Sequence, residues 1–258
     1  MFLEEIQKKY DLSDERLQQE IEIARRAMAP KQRNIPVVEY GKEKLIRVIR
    51  EGVGPLETEY GSFHHFNFKI KDKWKKYSSI VKANLNKEFQ PVLKNNSLLI
   101  RIDSGCETGQ LFGDKTCECK EQLMLALKKI SEQGEGILIN IPRQDGRGMG
   151  LPFKLATLRL QTYLGVDTVD ASAMMDPNGE RDVRTYTGVI AILKFFNITS
   201  DVKIKLMTNN PKKMEIFKEN NYILGERSPI AIPPTEHTRR HLKAKQEELG
   251  HINLLDND

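Results

Sequence analysis

The sequence predicts an α/β fold, because short apolar runs that suit buried strands alternate with segments of helical periodicity. A strand at residues 98–102, a helix at 121–133 and a strand at 137–141 show this alternation most clearly, and Gly134 and Gly136 separate the helix from the second strand. A length of 258 residues is enough for one large domain or two small ones with a sizeable core.

The first 30 residues are predicted to form one or two amphipathic helices. Ser13 suits an N-cap position, and apolar residues that follow it fall on one side of a helix. Pro30 and Pro36 then interrupt the pattern. The segment carries no recognisable chemistry, so we interpret it as an extension that packs on the rest of the protein or forms oligomers.

The second half of the chain continues the alternation. Helices are predicted at 152–163, 188–196 and 211–219, the last with a proline in its first turn, and a strand at 203–207. The last 30 residues add a polar helix. Because α/β folds collect their sites where strands end, polar clusters after these strands are candidates for function.

Composition and charge exclude several classes of protein. No run of eighteen apolar residues is present, so no membrane-spanning helix is expected. The formal net charge of +5, from 41 basic and 36 acidic residues, is too small to indicate nucleic-acid binding. The first residues include acids and lack the apolar segment of a signal peptide, and few clustered cysteines suit a reducing compartment, so we expect a cytoplasmic protein.

The densest basic run surrounds Trp74 and is interpreted as a solvated edge strand. The alternative is that lysines around an aromatic ring bind a phosphate-bearing ligand. The run consists of Lys69, Lys71, Lys73, Lys75 and Lys76.

All three cysteines, Cys106, Cys117 and Cys119, fall within fourteen residues at a Cys-x10-Cys-x-Cys spacing. Thiols at this spacing are typical of three ligands of one tetrahedral zinc ion. Structural zinc sites normally have four protein ligands, whereas catalytic sites keep one position for water, so an open site predicts hydrolytic chemistry. Two alternatives stay open at this point: one of the five histidines closes the site, or the thiols bind no metal.

A glycine-rich loop at residues 143–150 follows the strand that ends at Ile141. Its three glycines let the backbone approach a ligand, and its two arginines can each offer paired hydrogen bonds to a phosphate. The loop lacks the Gly-Lys-Ser/Thr of a Walker loop and the spacing of a dinucleotide fingerprint. A plain glycine-rich turn is the alternative.

Two further clusters are weaker on their own. Asp182 and Arg184 can face a common ligand if their segment is extended, although an acid near an arginine is usually a surface ion pair. Residues 208–213, Thr-Asn-Asn-Pro-Lys-Lys, join a strand to a helix whose N-terminus can bind an anion, with a simple Asn/Pro cap as the alternative. Zinc ligands, arginines and a helix N-terminus together indicate hydrolysis of a polyphosphorylated substrate.

In their order along the chain, these motifs resemble the GTP cyclohydrolase II family, whose enzymes open riboflavin biosynthesis. The shared motifs are Cys-x10-Cys-x-Cys, Arg-Gln-Asp-Gly-Arg-Gly-Met-Gly-Leu, Asp-Thr-Val, Asp-x-Arg-x-Tyr and Thr-Asn-Asn-Pro-x-Lys, within residues 56–253. The resemblance implies a mixed sheet flanked by helices, with residues 1–50 as an N-terminal helical extension and residues 51–258 as the catalytic domain. It also implies a homodimer, because the family is usually dimeric.

The resemblance further implies a zinc-dependent reaction on GTP. One zinc ion per chain on the three cysteines activates water that opens the guanine imidazole ring, and a second attack releases formate. Arg184 matches the arginine that attacks the α-phosphorus and expels pyrophosphate, and Asp182 matches the carboxylate that takes part in proton transfer. Mg²⁺ offsets the charge of the triphosphate. Positions that match substrate contacts are Arg101, Gln122, Asp145, Gly146, Arg147, Thr168, Thr208 and Lys213.

The chain departs from the family pattern at two positions of consequence. Asp145 stands where the family usually has glutamate, which shortens a side chain expected to contact guanine. Leu158 stands at a helix position where the family has a tyrosine close to the metal, and leucine cannot donate a hydrogen bond or orient water. Tyr163 is five residues further on, about 140° around the helix, and is a poor substitute.

Three hypotheses for function follow from this comparison. The first is the full reaction, which yields a 2,5-diamino-6-ribosylamino-pyrimidinone 5′-phosphate, formate and pyrophosphate. The second is a truncated reaction that stops at a formamidopyrimidine nucleotide because of Leu158. The third is a guanine-nucleotide-binding protein without turnover, against which the intact cysteines, Asp182 and Arg184 argue.

Overall fold

The computed structural model describes residues 2–70, 75–176, 179, 182–252 and 255. Strands and helices alternate from residue 97 onward, as the apolar pattern predicted, whereas the strands between residues 31 and 92 follow one another directly. The strands are β1 Lys31–Glu39, β2 Lys42–Thr58, β3 Gly61–Ile70, β4 Lys75–Lys82, β5 Asn84–Leu85, β6 Pro91–Val92, β7 Ser97–Ser104, β8 Gly136–Ile141 and β9 Lys203–Met207. The helices are α1 Phe2–Tyr10, α2 Asp14–Met28, α3 Glu107–Phe112, α4 Cys119–Gln133, α5 Leu151–Leu164, α6 Thr168–Met175, α7 Thr187–Phe195, α8 Lys212–Glu219 and α9 Arg239–Leu249, with a 3-10 helix at Asp145–Gly148.

A seven-stranded mixed sheet organises the fold, in the order β1-β2-β3-β4-β8-β7-β9. Strands β1 to β4 pair antiparallel with their sequence neighbours, and β4 is antiparallel to β8. Strand β7 is parallel to both β8 and β9, so helices make the crossovers between these three strands. The predicted α/β class, a mixed sheet flanked by helices, is confirmed.

Helices cover both faces of the sheet. Successive residues of a strand point to opposite faces, so on β7 Ile100 joins the cluster around α7 while Leu99 joins the cluster around α4. Helix α7 contacts β1 and β2, whereas α4 contacts β7 and β8. Helix α2 packs on β2 at the amino end of the chain.

An aromatic cluster fills the core between β3 and the end of α7. The Phe66 ring lies 4.9 Å from that of Phe196, and the Phe68 ring lies 5.3 Å from that of Phe195, in edge-on contacts. These four side chains are at most 1% exposed. Edge-on aromatic pairs of this kind each contribute about 0.5–1.5 kcal/mol beyond the burial of their area.

The predicted helical extension is correct only in its first part. Helices α1 and α2 form, but the helical segment ends at Met28, and residues 31–50 are strands β1 and β2 rather than helix. Alternate residues such as Ile46 and Val48 are buried there, and this period of two favours a strand. Pro36 is tolerated because β1 is an edge strand.

The basic run is not an edge strand, contrary to the prediction. Lys69 on β3 pairs with Lys76 on β4, and both strands lie inside the sheet, whose edges are β1 and β9. Buried residues alternate with these lysines, so the strands can be central while their charges stay on one face. Lys71, Lys73 and Trp74 lie outside the described residues.

Two helices near the end of β7 and after α5 were not predicted. Helix α3 has only six residues, too few to show a periodic pattern. Helix α6 is short as well, but it has an N-cap: the Asp167 carboxylate accepts hydrogen bonds from the backbone N–H groups of Val169 and Asp170 at 2.7 and 3.0 Å. Of the helices in the described ranges, none is both long and apolar enough to cross a membrane.

Candidate functional site

A cavity opens at the carboxyl ends of the parallel strands β7, β8 and β9. Parallel strands present their ends and following loops at one edge of a sheet, which is why sequence-distant clusters meet there. Of the predicted site residues, Asp182 alone is not among those that line the cavity. The others all line it: Arg101, Cys106, Cys117, Cys119, Gln122, Asp145, Gly146, Arg147, Thr168, Arg184, Thr208 and Lys213.

The three cysteines form one compact group, with Sγ atoms within 4.8 Å of one another. Cys106 is the N-cap residue of α3, Cys119 begins α4, and Cys117 lies in the turn between them. Helix α3 passes so close that a Cβ on Gly109 would lie 2.7 Å from the Cys117 sulfur. Hydrogen bonds from the Cys117 and Cys119 thiols lower the pKa of Cys106. The hydrogen bond between Cys106 and Cys117 raises the pKa of Cys117 to about 11.

A partly buried cation lies beside the thiol group. The Lys154 ammonium on α5 donates to the Cys106 sulfur at 2.9 Å and also contacts the Thr108 hydroxyl and, at 3.9 Å, the Asp114 carboxylate. Burial opposes its charge, but the Cys106 contact outweighs burial and raises the pKa of Lys154. The ammonium therefore favours the thiolate form of Cys106, the form that binds metal.

The glycine-rich loop folds into the 3-10 helix at Asp145–Gly148. Gly146, Arg147 and Gly148 all have positive φ, and a Cβ on Gly148 would come within 3.1 Å of the Arg184 side chain. The Arg147 guanidinium donates to the Thr168 hydroxyl and carbonyl at 3.2 Å. The loop is thus tied to α6 and to the segment around Arg184, and it is more than a plain turn.

Asp182 and Arg184 form a close ion pair at the cavity wall. The Arg184 Nε donates to Asp182 Oδ1 at 2.8 Å and its Nη2 donates to Oδ2 at 2.6 Å. The Arg184 side chain is only 14% exposed and the Asp182 side chain 9%, so the pair is not an ordinary surface one. Burial opposes ionisation of Asp182, but the Arg184 hydrogen bonds and charge outweigh it and lower the pKa of the carboxyl.

Arg101 and Gln122 belong to a hydrogen-bond chain on the cysteine side. The Arg101 guanidinium donates to the Gln122 side-chain oxygen at 2.9 Å and to the Met207 carbonyl at 3.2 Å. The Gln122 amide nitrogen donates to Glu118 at 3.1 Å, and so does the Lys245 ammonium from α9. This chain connects the end of the sheet with the C-terminal helix.

The segment after β9 supplies buried polar groups. The Lys213 ammonium donates to the Ile102 carbonyl at 2.9 Å, and burial followed by the charges of Arg101 and Arg184 holds its pKa well below the ordinary value. The Asn210 side chain accepts from the Lys212 backbone N–H at 2.9 Å, one residue before the Pro211 N-cap of α8. Thr208 and Lys213 nevertheless line the cavity.

Leu158 lines the cavity on α5, as its helix position predicts. Lys154, Thr157 and Gln161 line it too. Lys154 lies four residues before Leu158 and Gln161 three residues after it, and this helical spacing is the signal that could have found them. Tyr163 does not line the cavity, and the residue is 72% exposed.

Several lining residues were not predicted as site residues, although Asp103 directly follows the predicted strand at 98–102 and His241 and His251 fall within the region of the family resemblance. His241 and His251 reach the cavity only because the C-terminal segment packs there, and burial lowers the pKa of His251 to about 3. Asp103 accepts from Gln110 at 2.8 Å and from Asn140 at 2.6 Å, and Gln110 in turn accepts from the Cys106 backbone N–H. These contacts are tertiary, so no local pattern encodes them.

Residues 50–227 match GTP cyclohydrolase II as a family. The GTP cyclohydrolase-2 of Picrophilus torridus is 36% identical over 197 residues, which are 76% of this chain and 95% of that protein. The GTP cyclohydrolase-2 of Streptomyces coelicolor is 34% identical over 77% of this chain and 84% of that protein. The riboflavin biosynthesis protein RibBA of Phocaeicola vulgatus is 35% identical over 76% of this chain, which spans only 45% of that protein. The chain therefore belongs to the GTP cyclohydrolase II family.

Proposed function

We propose that this hydrolase opens the guanine imidazole ring of GTP in a zinc-dependent reaction that feeds riboflavin biosynthesis. The observation that carries the proposal is that one cavity brings the three-thiol group together with the buried cations of the other motifs. Relatives named GTP cyclohydrolase-2 match most of the chain, which supports the same substrate.

The three thiols fit a zinc ion in spacing, softness and burial. Sulfur atoms within 4.8 Å of one another suit a tetrahedral ion with Zn–S bonds of about 2.3 Å. Bound zinc supplies a Lewis acid and lowers the pKa of water toward neutrality. Gly109 keeps the space beside the sulfurs clear, and the Lys154 ammonium stabilises the thiolate of Cys106.

The cations of the cavity bind the triphosphate in this proposal. Arg101, Arg147 and Lys213 are buried or half-buried, so an anionic ligand would compensate charges that are costly to bury. Mg²⁺ bound to the triphosphate offsets further charge. Thr168 and Thr208 add hydroxyl groups to the same wall.

Arg184 is the proposed nucleophile and Asp182 its base. A bond forms between a guanidinium nitrogen and the α-phosphorus, the bond to pyrophosphate breaks, and the nitrogen's proton passes to the Asp182 carboxylate. The bidentate contact places that carboxylate on the arginine nitrogens before the reaction. Hydrolysis of the phosphorus–nitrogen bond then frees the arginine.

A specific observation supports the truncated reaction as a second candidate. Leu158 lies in the cavity wall, one helical turn from Lys154. Tyr163 is exposed and outside the cavity lining, so it cannot take the part of the tyrosine that the family has at the position of Leu158. An apolar side chain at this place cannot hold water for the second hydrolysis. The product would then be a formamidopyrimidine nucleotide that keeps the formyl carbon.

Incubation of the zinc-loaded protein with GTP and Mg²⁺, with mass spectrometry and a formate assay, tests both candidates. Pyrophosphate and formate in equal amounts support the full reaction, whereas pyrophosphate with a formylated product supports the truncated one. Binding of GTP without any product would instead support the non-catalytic hypothesis and contradict both candidates.

If the truncated reaction is correct, Leu158→Tyr should restore formate release, since a hydroxyl returns to the cavity wall. We expect formate to rise at least about 10-fold, within the range of a positioned proton-transfer group. Leu155→Tyr is the matched control, because Leu155 is on the same helix, half exposed and outside the cavity lining. A folded, zinc-loaded Leu158→Tyr protein without added formate would contradict this account of the block.

A further inference from the structure

The Gln144 side chain has an unusual position in the cavity wall. The residue is only 4% exposed, yet neither its amide oxygen nor its amide nitrogen has a hydrogen-bond partner within the described ranges of the chain. Burial of a polar group without a partner costs free energy, so such groups are rare in folded proteins. Because Gln144 also lines the cavity, a ligand is the natural partner for both atoms.

The backbone on either side of Gln144 is firmly held. Its N–H donates to the Gly105 carbonyl at 3.0 Å, next to Cys106, and its carbonyl accepts from the Gly148 N–H at 3.2 Å. Gly105 itself lies against β8, where a Cβ would come 2.9 Å from the Ile141 carbonyl. The backbone of Gln144 is therefore held within the glycine-rich loop and against the residue before Cys106, so its unpaired side-chain atoms do not reflect a loose segment.

The charge of the neighbouring groups indicates which part of a nucleotide meets this amide. Phosphates are best bound by cations, which the cavity provides in Arg101, Arg147 and Lys213. Gln144 is neutral and offers one donor beside one acceptor, the pattern that matches the edge of a base. Since ring opening must take place near the thiols, the base lies on the side of the cavity where Gln144 is held.

The neighbouring Asp145 is already engaged. Its carboxylate accepts from the backbone N–H of Glu107 at 3.0 Å and so caps the first turn of α3. One oxygen of this shortened side chain is thus used to hold the cysteine loop. That leaves the free amide of Gln144 as the better-placed neutral group for a paired contact with a base.

We propose that Gln144 binds the six-membered ring of guanine, with its nitrogen donating to O6 and its oxygen accepting from N1–H. The inference rests on the proposed function, since it takes GTP as the ligand. Opening of the imidazole ring leaves this edge unchanged, so Gln144 holds the ring through the whole reaction.

The test compares GTP with N1-methyl-GTP, which lacks the N1 proton. Pyrophosphate release gives kcat/KM for each, and calorimetry with their α,β-methylene analogues, which cannot lose pyrophosphate, gives Kd. Wild-type protein should prefer GTP by about 10- to 100-fold, the effect of one buried hydrogen bond. Gln144→Met should lose this preference, whereas Gln144→Glu should keep much of it because an acceptor for N1–H remains.

A purely structural role predicts a different pattern, in which Gln144→Met weakens both nucleotides equally and GTP stays preferred. Gln133→Met, at the exposed end of α4, controls for the substitution itself. Without ligand, Gln144→Met should unfold at the same or a higher temperature than wild type, because an unpaired amide is removed.

The two proposals fail in different ways. The role of Gln144 is overturned, even if GTP is turned over, in either of two cases. In one, Gln144→Met loses affinity equally for GTP and N1-methyl-GTP; in the other, the wild-type protein shows no preference between them. If the preference for GTP over N1-methyl-GTP depends on Gln144 but no pyrophosphate or formate is released, the role of Gln144 is supported and the proposed reaction is overturned. No binding of GTP overturns both.

Discussion

The two halves of the sheet have different roles in this protein. Strands β1 to β4 are antiparallel, contain the aromatic packing against α7, and contribute no described residue to the cavity lining. Strands β8, β7 and β9 are parallel, and the cavity lies at their carboxyl ends. Antiparallel strands joined by short turns can supply a core without bringing distant motifs together, whereas parallel strands place several loops at one edge.

This division has a physical consequence for substitutions. The antiparallel half is held by apolar burial, so changes there should alter the free energy of unfolding and leave chemistry per folded molecule intact. The parallel half carries buried charges such as Arg101 and Lys213 and a compact group of thiols. Such groups suit the binding of ligands, but their burial does not favour the free energy of unfolding. Substitutions in the two halves should therefore separate stability from activity.

The largest effect is expected from Cys106→Ala in the parallel half. Loss of one of three sulfur ligands should abolish zinc binding and lower formate release by at least about 10⁴-fold, because both the Lewis acid and the activated water are lost. Metal content by mass spectrometry and formate release measure this. Leu111→Ala is the control, since Leu111 is 74% exposed on α3 and outside the cavity lining. Formate release at the wild-type rate from a metal-free variant would contradict the zinc site.

Phe68→Ala should produce the opposite signature in the antiparallel half. Phe68 is fully buried, with ring contacts to Phe195 and Phe196 at 5.3 and 5.4 Å, so the free energy of unfolding should fall by about 3–5 kcal/mol. Denaturant unfolding measures the loss. Phe112→Ala, at a position 77% exposed, should change it by less than about 0.5 kcal/mol.

The same variant tests the separation itself. At a temperature where Phe68→Ala remains folded, kcat for pyrophosphate release should equal that of wild type. A drop in kcat without unfolding would show that the antiparallel half controls the geometry of the cavity, and the division drawn here would be wrong.

The parallel half was also the more predictable from sequence. Its strands are short, mostly apolar runs followed by polar motifs, so the strand at 98–102 was predicted correctly, and the thiols of Cys106, Cys117 and Cys119 lie together as expected. The resemblance to GTP cyclohydrolase II is confirmed by the family match. In the antiparallel half the strands at 31–50 were missed, because these residues were assigned to the N-terminal helical extension although Pro30 and Pro36 interrupt the helical pattern.

What the sequence could not predict depends on contacts between distant segments. His241 and Lys245 come into the cavity wall from α9, and the unpartnered amide of Gln144 is visible only when its surroundings are known. No periodicity marks such residues. Lys154 is an intermediate case, since its spacing from Leu158 placed it on the same helix face, but its contact with the Cys106 sulfur at 2.9 Å is tertiary.

Glycine substitutions are expected to have the smallest effects, but they compare the two halves most directly. A Cβ on Gly109 would lie 2.7 Å from the Cys117 sulfur and 3.2 Å from the Cys106 sulfur, whereas a Cβ on Gly54 in β2 would meet nothing within 4 Å. Gly109→Ala should therefore weaken zinc affinity by about 10- to 100-fold, as displacement of supporting groups around a metal does, while Gly54→Ala should leave it unchanged. Competition with a metal chelator measures both.

The stability of the two variants sharpens this last prediction. Alanine favours a helix over glycine by about 1 kcal/mol, so Gly109→Ala gains local helix stability in α3 while it crowds the sulfurs. A metal-free Gly109→Ala protein should then be no less stable than metal-free wild type, and its defect should appear only when zinc is added. If it were destabilised without metal and bound zinc normally, the close approach of α3 would serve packing, and the cysteine group would tolerate a wider range of geometries than the structure indicates.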